Sequence, residues 1–444
     1  MYLDIKEFLD NKEYVMLKKE IEKEKAVDIA DVFDDLDKKN SIILFRLLSK
    51  DKAADVFSNL TAQQRIDIVG AIQETKLNEI LDDLFFDDMI DILEEMPANI
   101  VKKILAESSE EERKLINQFL SYSEDSAGSL MTIEYVDLKK EMTVKEALSH
   151  IKNIGIDKET IYTCYVLDRK RKLEGLVSLR KLVLSDAELF ISDIMNEDFV
   201  FTNTLNDQEE VASLFKRYDL ISLPVVDNEN RLVGIITIDD IVDVIEQENT
   251  EDFQKMAAME PHEKEYLQTG IFSLARKRIV WLLFLMVSAT FTGIVIRKYD
   301  EVLQSVVVLA VFIPMLMDTA GNAGSQSSTL IIRGIALGEI SLNDYVKVFW
   351  KEFRVSIVVG SMLALLNFFR VLIIERVEMD IAIVVSLTLA ITVIFAKLVG
   401  SMLPVIAKKL KLDPAIMAGP LITTIVDAIA LIVYFNLANI FLNL

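Results

Sequence analysis

The sequence predicts a multidomain chain: an all-α helical solenoid at the N-terminus, a tandem α/β module, a linker helix and a transmembrane α domain of five helices. Three observations predict it. Charge is segregated: residues 1–270 hold 59 acids and 33 bases, a net of −26, while residues 271–444 hold 11 acids and 15 bases, a net of +4. A strand–turn–strand–helix pattern recurs at an offset of 59 residues. Five apolar runs, each long enough for a hydrocarbon core of ~30 Å, fill the C-terminal part. The boundaries read as 1–125, 126–248, 249–275 and 276–444.

Residues 1–125 carry one proline, Pro97, and few β-branched runs, so they read as helix throughout. Asp31-Val-Phe-Asp-Asp-Leu36, Asp55-Val-Phe-Ser-Asn-Leu60 and Asp91-Ile-Leu-Glu-Glu-Met96 form a weak repeat, with Asp67 and Glu79 on the same grid. These positions are separated by multiples of twelve, about one short helix plus a turn, the signature of a helical solenoid. Each helix then buries its Val/Leu/Phe stripe and leaves the acids exposed.

Residues 126–248 change character. Tyr165-Val-Leu-Asp and the run to Leu182 match Pro224-Val-Val-Asp and the run to Ile241. Asp168 aligns with Asp227, Gly175 with Gly234 and Ser178 with Thr237. Each unit reads as strand, charged hairpin turn, strand, then a helix capped by Ser or Thr. The pair resembles tandem CBS domains, which fold as one pseudo-symmetric α/β module and often bind adenine nucleotides or sense ions. Cys164, the single cysteine, excludes an internal disulfide and reads as a buried small hydrophobe in a strand. Two histidines, His150 and His262, leave little for zinc chemistry.

Residues 240–275 read as one long connecting helix dense in acids. Asp239/Asp243 and Glu248/Asp252 lie four apart, Asp240/Asp243 and Glu248/Glu251 three apart. Like charges at these spacings destabilise a helix unless solvent screens them or a cation bridges them. So acidic an N-terminal part repels nucleic acid and anionic lipid, and a polyvalent cation is its natural counter-ion.

The apolar runs are 279–296, 302–332, 355–374, 381–406 and 416–442. Ten basic residues flank one side (among them Arg276, Lys277, Arg278, Arg333, Lys408, Lys409) and four the other (Arg297, Lys298, Arg370, Arg376). This bias predicts a multi-pass protein of the cell membrane, its N-terminal domains cytoplasmic and its C-terminus outside. The first residues, Met-Tyr-Leu-Asp-Ile-Lys-Glu, lack a secretory pattern. Five spans without an internal repeat do not divide into two inverted halves, so a pore is expected between two copies.

The second run turns polar in its middle: Asp318, Asn322, Ser325, Gln326, Ser327 and Ser328, with Gly321 and Gly324 between them. Small residues serve helix packing, but unpaired polar groups in hydrocarbon cost several kcal/mol, which favours the lining of a wet cavity. In the last run Asp427 sits mid-span, where a carboxylate is by default a functional-site candidate. The competing reading is a structural pair with Lys397 in the fourth run. Oxygen ligands without Cys or His suit a hard cation. Asp427 with Thr423 and Thr424, facing Asn322 and Gln326, is a ring that suits Mg2+ with its water shell intact, since Mg2+ dehydrates reluctantly.

The order of domains, the motif from Pro314 through Gln326 to Arg333, and Asp413-Pro-Ala followed by Val426-Asp427 resemble the MgtE family of magnesium channels over essentially the whole chain. That resemblance implies a homodimer, Mg2+ selectivity, Mg2+ as both transported and regulatory ion, and closure by cytosolic Mg2+. It maps the pore ion onto Asp427. It maps regulatory ions onto Asp87, Asp91 and Asp55 in the N-terminal domain, and onto Asp207, Glu209, Asp219, Asp240 and Asp243 in the second CBS unit. On the linker, or plug, helix it maps them onto Glu251 and Asp252, facing Asp413. Some members also bind ATP in the CBS module, so ATP is an open expectation. The alternatives are a Na+- or H+-coupled divalent-cation carrier and a membrane-anchored nucleotide sensor. No nucleophile–base set, phosphate-cradling glycine loop or redox cysteine pair points to an enzyme.

Overall fold

The computed structural model describes residues 2–72, 74–81, 83–262, 266 and 269–442. It divides into two compact units, Met1–Val244 and Ile245–Leu444.

The first unit opens with short helices of 7 to 10 residues, from Tyr2–Asp10 to Glu110–Phe119. Local chemistry starts them. Asp37 accepts a hydrogen bond from the Asn40 amide, and Ser109 forms a capping box with Glu112. Alternate helices stack: Ala26–Val32 packs on Lys50–Ser58, which packs on Glu74–Leu81. The twelve-residue grid has the meaning expected of it. Phe33, Val56, Phe57, Ile92 and Leu93 are buried, while Asp31, Asp55 and Asp91 stay exposed. Asp67 differs, being half-buried and paired with Lys38 at 2.6 Å.

The helical core continues into the second α/β repeat, where Val211, Phe215, Leu223, Val225 and Ile241 join the same apolar cluster. Each repeat is a three-stranded sheet. In the first, β1 (Val136–Leu138) runs parallel to β2 (Thr163–Leu167), and β2 antiparallel to β3 (Leu173–Ser178). In the second, β4 (Thr202–Asn203), β5 (Ser222–Val226) and β6 (Leu232–Thr237) repeat that order. The 59-residue offset survives in atomic detail. Thr163 opposes Ser178 as Ser222 opposes Thr237, and both hairpins bulge at the same place. Asp168 Oδ1 accepts the Lys170 and Lys172 amides, and Asp227 Oδ1 accepts those of Glu229 and Arg231. These aspartates set the turns. Cys164 is buried in β2.

The linker helix is shorter than the sequence predicts. It spans Ile238–Met256, and a second helix starts only at Ile271. Ala258 adopts φ 53°, and Pro261 and Gly270 follow, so the chain turns where an unbroken helix was expected.

The second unit is helical. Among the described residues four helices are long and apolar enough to cross a membrane: Ile271–Lys298, Leu342–Glu375, Met379–Lys409 and Pro414–Leu442. The expected second span, 302–332, is broken. A short helix, Asp300–Ser305, precedes a 28-residue helix, Leu309–Ala336, and the Val306–Val308 run between them is β-branched. Leu309–Ala336, hereafter the polar helix, falls outside the apolar four because its middle carries Asp, Asn, Gln and Ser. It packs against Met379–Lys409 so closely that Gly400 meets the backbone at Gly324. Glycine here lets two backbones touch. Gly360 likewise meets the Ala390 carbonyl.

A Cβ at Gly234 would sit 2.7 Å from the Thr132 carbonyl oxygen and 2.8 Å from Met131 Sδ. Gly234→Val is expected to destabilise by ~1–3 kcal/mol through overpacking. Gly270→Ala, with open space around its Cβ, is the control. Thermal melts of the detergent-solubilised chain should show a lower transition for the first and an unchanged one for the second.

Candidate ion pathway and regulatory carboxylates

The polar helix presents Asp318, Asn322 and Gln326 at i, i+4 and i+8, on one exposed face. Its opposite face, including Leu316, Ala320, Gly324, Ser327 and Ser328, is buried. The terminal helix, Gly419–Leu442, runs alongside, so a Cβ at Gly321 would lie 2.9 Å from Thr423 Cγ2. Asp427 is half-buried on that helix, near enough to Asp318 for their charges to interact. Thr423 and Thr424 hydroxyls both donate to the Pro420 carbonyl, at 2.9 and 3.0 Å. Each keeps oxygen lone pairs for an outside donor such as a water on a hydrated ion. Lys397 does not pair with Asp427. It hydrogen-bonds Ser327 Oγ at 3.3 Å, which removes the structural ion pair as an account of Asp427.

At one end of the bundle Asp413 caps the turn Pro414–Met417, its Oδ1 accepting the Ala415 amide at 2.8 Å. Its Oδ2 accepts from Lys255 Nζ at 2.6 Å, and Lys255 also pairs with Glu251. Burial alone would lower the Lys255 ammonium, but hydrogen bonds to Asp413 and Glu251 outweigh it and hold it raised. Burial raises Asp252, with Asp413 adding to the shift and Lys255 opposing it. Asp413, Glu251 and Asp252 thus come together around Lys255 at this end of the bundle. Lys255 among them was not foreseen, although its i, i+4 spacing from Glu251 was legible.

In the first unit Asp87 and Asp88 stand in the first turn of helix Phe86–Glu95. They face Glu159, Asp239 and Asp240. Asp87 is pushed up to about 8, first by burial, then by Asp240, Asp88 and Glu159. One of its oxygens is buried without a hydrogen-bond partner. Glu159 is pushed up to about 7 by burial and by Asp239, Asp240, Asp88 and Glu134. Asp240 is pushed up to about 6 by burial and Asp239, against a 2.8 Å hydrogen bond from Thr237 Oγ1. Burial also raises Asp88, with Arg65 lowering it and Asp239 and Asp55 raising it. Among the described residues no three His, Cys, Asp or Glu side chains converge as a chelating set. The acids form an electrostatic cluster rather than a metal cage.

The expected ligands thus fall into two groups. Asp87 and Asp240 come together, with Asp55 at the edge. Asp91 is exposed one turn beyond Asp87, and Asp243 lies on the linker helix. Asp207 and Asp219 lie at opposite ends of one helix, Gln208–Tyr218, as N-cap and left-handed C-cap, with Glu209 in its first turn. Asp88, Glu159 and Glu134 were missed. Asp88 is adjacent to a named ligand, but Glu159 lies in a loop with no periodic signal.

These raised carboxyls hold protons in the folded chain that the unfolded chain has lost. Their stabilisation is present in full below ~pH 4 and is lost as pH rises through the values of about 6, 7 and 8 for Asp240, Glu159 and Asp87. A bound cation would take the protons' place. Mg2+ added at pH 7.5 is expected to release roughly one proton per chain, and to raise the melting temperature by ~5 °C at pH 8 but little at pH 5. Equal thermal shifts at both pH values without proton release would contradict this assignment.

Comparisons with known proteins fit this geometry. A family described as divalent cation transporter matches residues 313–437, the MgtE intracellular N domain matches 24–125 and the CBS domain matches 191–247. The magnesium transporter MgtE of Thermus thermophilus is 36% identical over 99% of this chain and 98% of its own. That of Bacillus subtilis is 33% identical over 94% and 92%. A crystal structure of the cytosolic domain of the Mg2+ channel MgtE in complex with ATP aligns with a TM-score of 0.53 and 36% identity. It covers 55% of this chain and all of that one.

Proposed function

The chain belongs to the MgtE family of magnesium transporters, and from that premise we propose that it is a Mg2+-selective channel closed by cytosolic Mg2+. The observation that carries the proposal is the placement of Asp427. It stands with Thr423 and Thr424 on the terminal helix, beside the exposed Asp318–Asn322–Gln326 face.

Half of such a ring in one chain is completed by a second copy. Two Asp427 carboxylates on a shared axis match a divalent ion better than a monovalent one, and amide and hydroxyl oxygens bind the water shell rather than the bare ion. Selectivity then needs little dehydration. The five helices of each copy span the membrane with the N-terminal domains in the cytoplasm and the C-terminus outside.

Regulation rests on repulsion. Asp87, Asp88, Glu159, Asp239 and Asp240 oppose one another unless protons or cations sit among them. Low cytosolic Mg2+ favours the splayed domain and an open pore, and high Mg2+ bridges the acids and favours the compact, closed one. The effector must bind the closed state more tightly than the open one to shift the balance. Asp413, Glu251 and Asp252 serve the same end at the inner mouth. The related cytosolic domain was crystallised with ATP, and we take ATP as a ligand of the CBS pair here.

Mg2+ entry into proteoliposomes tests the reading. Parent protein should carry Mg2+ down its own gradient, with Na+ and proton gradients clamped to zero, and Asp427→Ala should lower the rate at least ~100-fold. Transport that requires a Na+ or proton gradient would replace the channel with a coupled carrier.

A further inference from the structure

Apart from the ion pathway, the second unit hides another set of ionisable groups. Lys397 on helix Met379–Lys409 is 6% exposed, Glu352 on helix Tyr345–Arg370 is 8% exposed, and Ser327 on the polar helix is 1% exposed. Ser327 Oγ donates to Glu352 Oε2 at 2.7 Å, and Lys397 Nζ donates to Ser327 Oγ at 3.3 Å. One hydroxyl thus joins an acid and a base from two other helices. A serine suits this, since it offers one donor and two acceptor lone pairs. All three groups lie toward the same end of the bundle. Ser327 is nine residues before Ala336, Glu352 seven after Tyr345 and Lys397 twelve before Lys409, or roughly 10–18 Å in from those helix ends.

The neighbouring residue extends the link. Ser328 Oγ donates to the Met417 carbonyl at 3.1 Å, in the turn between Asp413 and the terminal helix. Successive residues of a helix differ by about 100° in direction. Holding Ser327 and Ser328 inward therefore holds Asn322 and Gln326 outward, and a slip of one residue would turn Gln326 into the core.

We propose that Glu352, Ser327 and Lys397 form a buried charge bridge that fixes the rotation of the polar helix. It positions the oxygens of Asn322 and Gln326 and, through Ser328 and Met417, the start of the helix that carries Asp427. The three are positioning residues; none touches the ion. The inference rests on the pore reading above. Removing one charged partner strands the other in a membrane interior, whereas removing both leaves nothing uncompensated.

The test is Mg2+ transport by the full chain in proteoliposomes, measured as maximal rate and half-saturating Mg2+ separately. Glu352→Gln and Lys397→Met should each lower the maximal rate by about tenfold and raise the half-saturating concentration several-fold. The double variant should return both to within about threefold of the parent. Ser327→Ala keeps both charges and deletes the bridge. It should raise half-saturation about threefold at an unchanged yield of folded protein, which keeps the test valid if the single charge variants do not fold. A double variant no better than the worse single, or a Ser327→Ala variant with parental half-saturation, would overturn the bridge. Asp427→Ala runs alongside. If it transports normally the pore reading fails, whatever the bridge variants do.

Discussion

Two like charges 4 Å apart repel by about 4 kcal/mol at an effective dielectric of 20, against about 1 kcal/mol in water. In the first unit Asp87, Asp88, Glu159, Asp239 and Asp240 repel one another, and one Asp87 oxygen is buried without a hydrogen-bond partner. Domain stability is typically only ~5–15 kcal/mol, so repulsion among buried carboxylates weighs against the packed state. In the proposed mechanism the compactness of this unit is conditional on positive charge from solution. The apolar core that runs from the helical domain into the second CBS repeat brings these acids together. In the same proposal the acids set the ionic conditions under which that packing is favoured.

The membrane part answers the same electrostatic problem in two ways. Where charge is compensated within the chain it is buried, as at Glu352, Ser327 and Lys397, or tied down, as where Lys255 meets Asp413 and Glu251. Asp318, exposed, and Asp427, half-buried, form no ion pair among the described residues. An uncovered carboxylate inside hydrocarbon is tolerable only with water or a cation beside it. The linker helix Ile238–Met256 carries Asp239 and Asp240 near its start and Glu251, Asp252 and Lys255 near its end.

Much of this was legible in the sequence, for identifiable reasons. The 59-residue offset could be read because turn-setting Asp168 and Asp227, and capping Ser178 and Thr237, have local jobs that fix residue type. The polar middle of Leu309–Ala336 and the lone Asp427 stood out against an apolar background. Other features were hidden by distance. Glu159 meets Asp87 across 72 positions and Glu352 meets Ser327 across 25, and neither acid falls in a periodic pattern. Surface acids such as Asp207 and Asp219 also carry local roles, as the caps of helix Gln208–Tyr218, that sequence spacing does not separate from ion binding. The linker helix ends before its acidic run suggests because Ala258 takes a left-handed φ and Pro261 follows.

In the proposed mechanism, cations that neutralise the carboxylates of the first unit close a Mg2+ pore. Single-channel recording from patches of reconstituted protein, with Mg2+ as the charge carrier, tests it most directly. Mg2+ on the cytoplasmic face would be stepped from micromolar to ~10 mM, a range that spans weak carboxylate sites. The account predicts unitary currents whose open probability falls steeply across that range. Unitary currents that persist unchanged at the highest concentration, or no unitary current at any concentration, would contradict it.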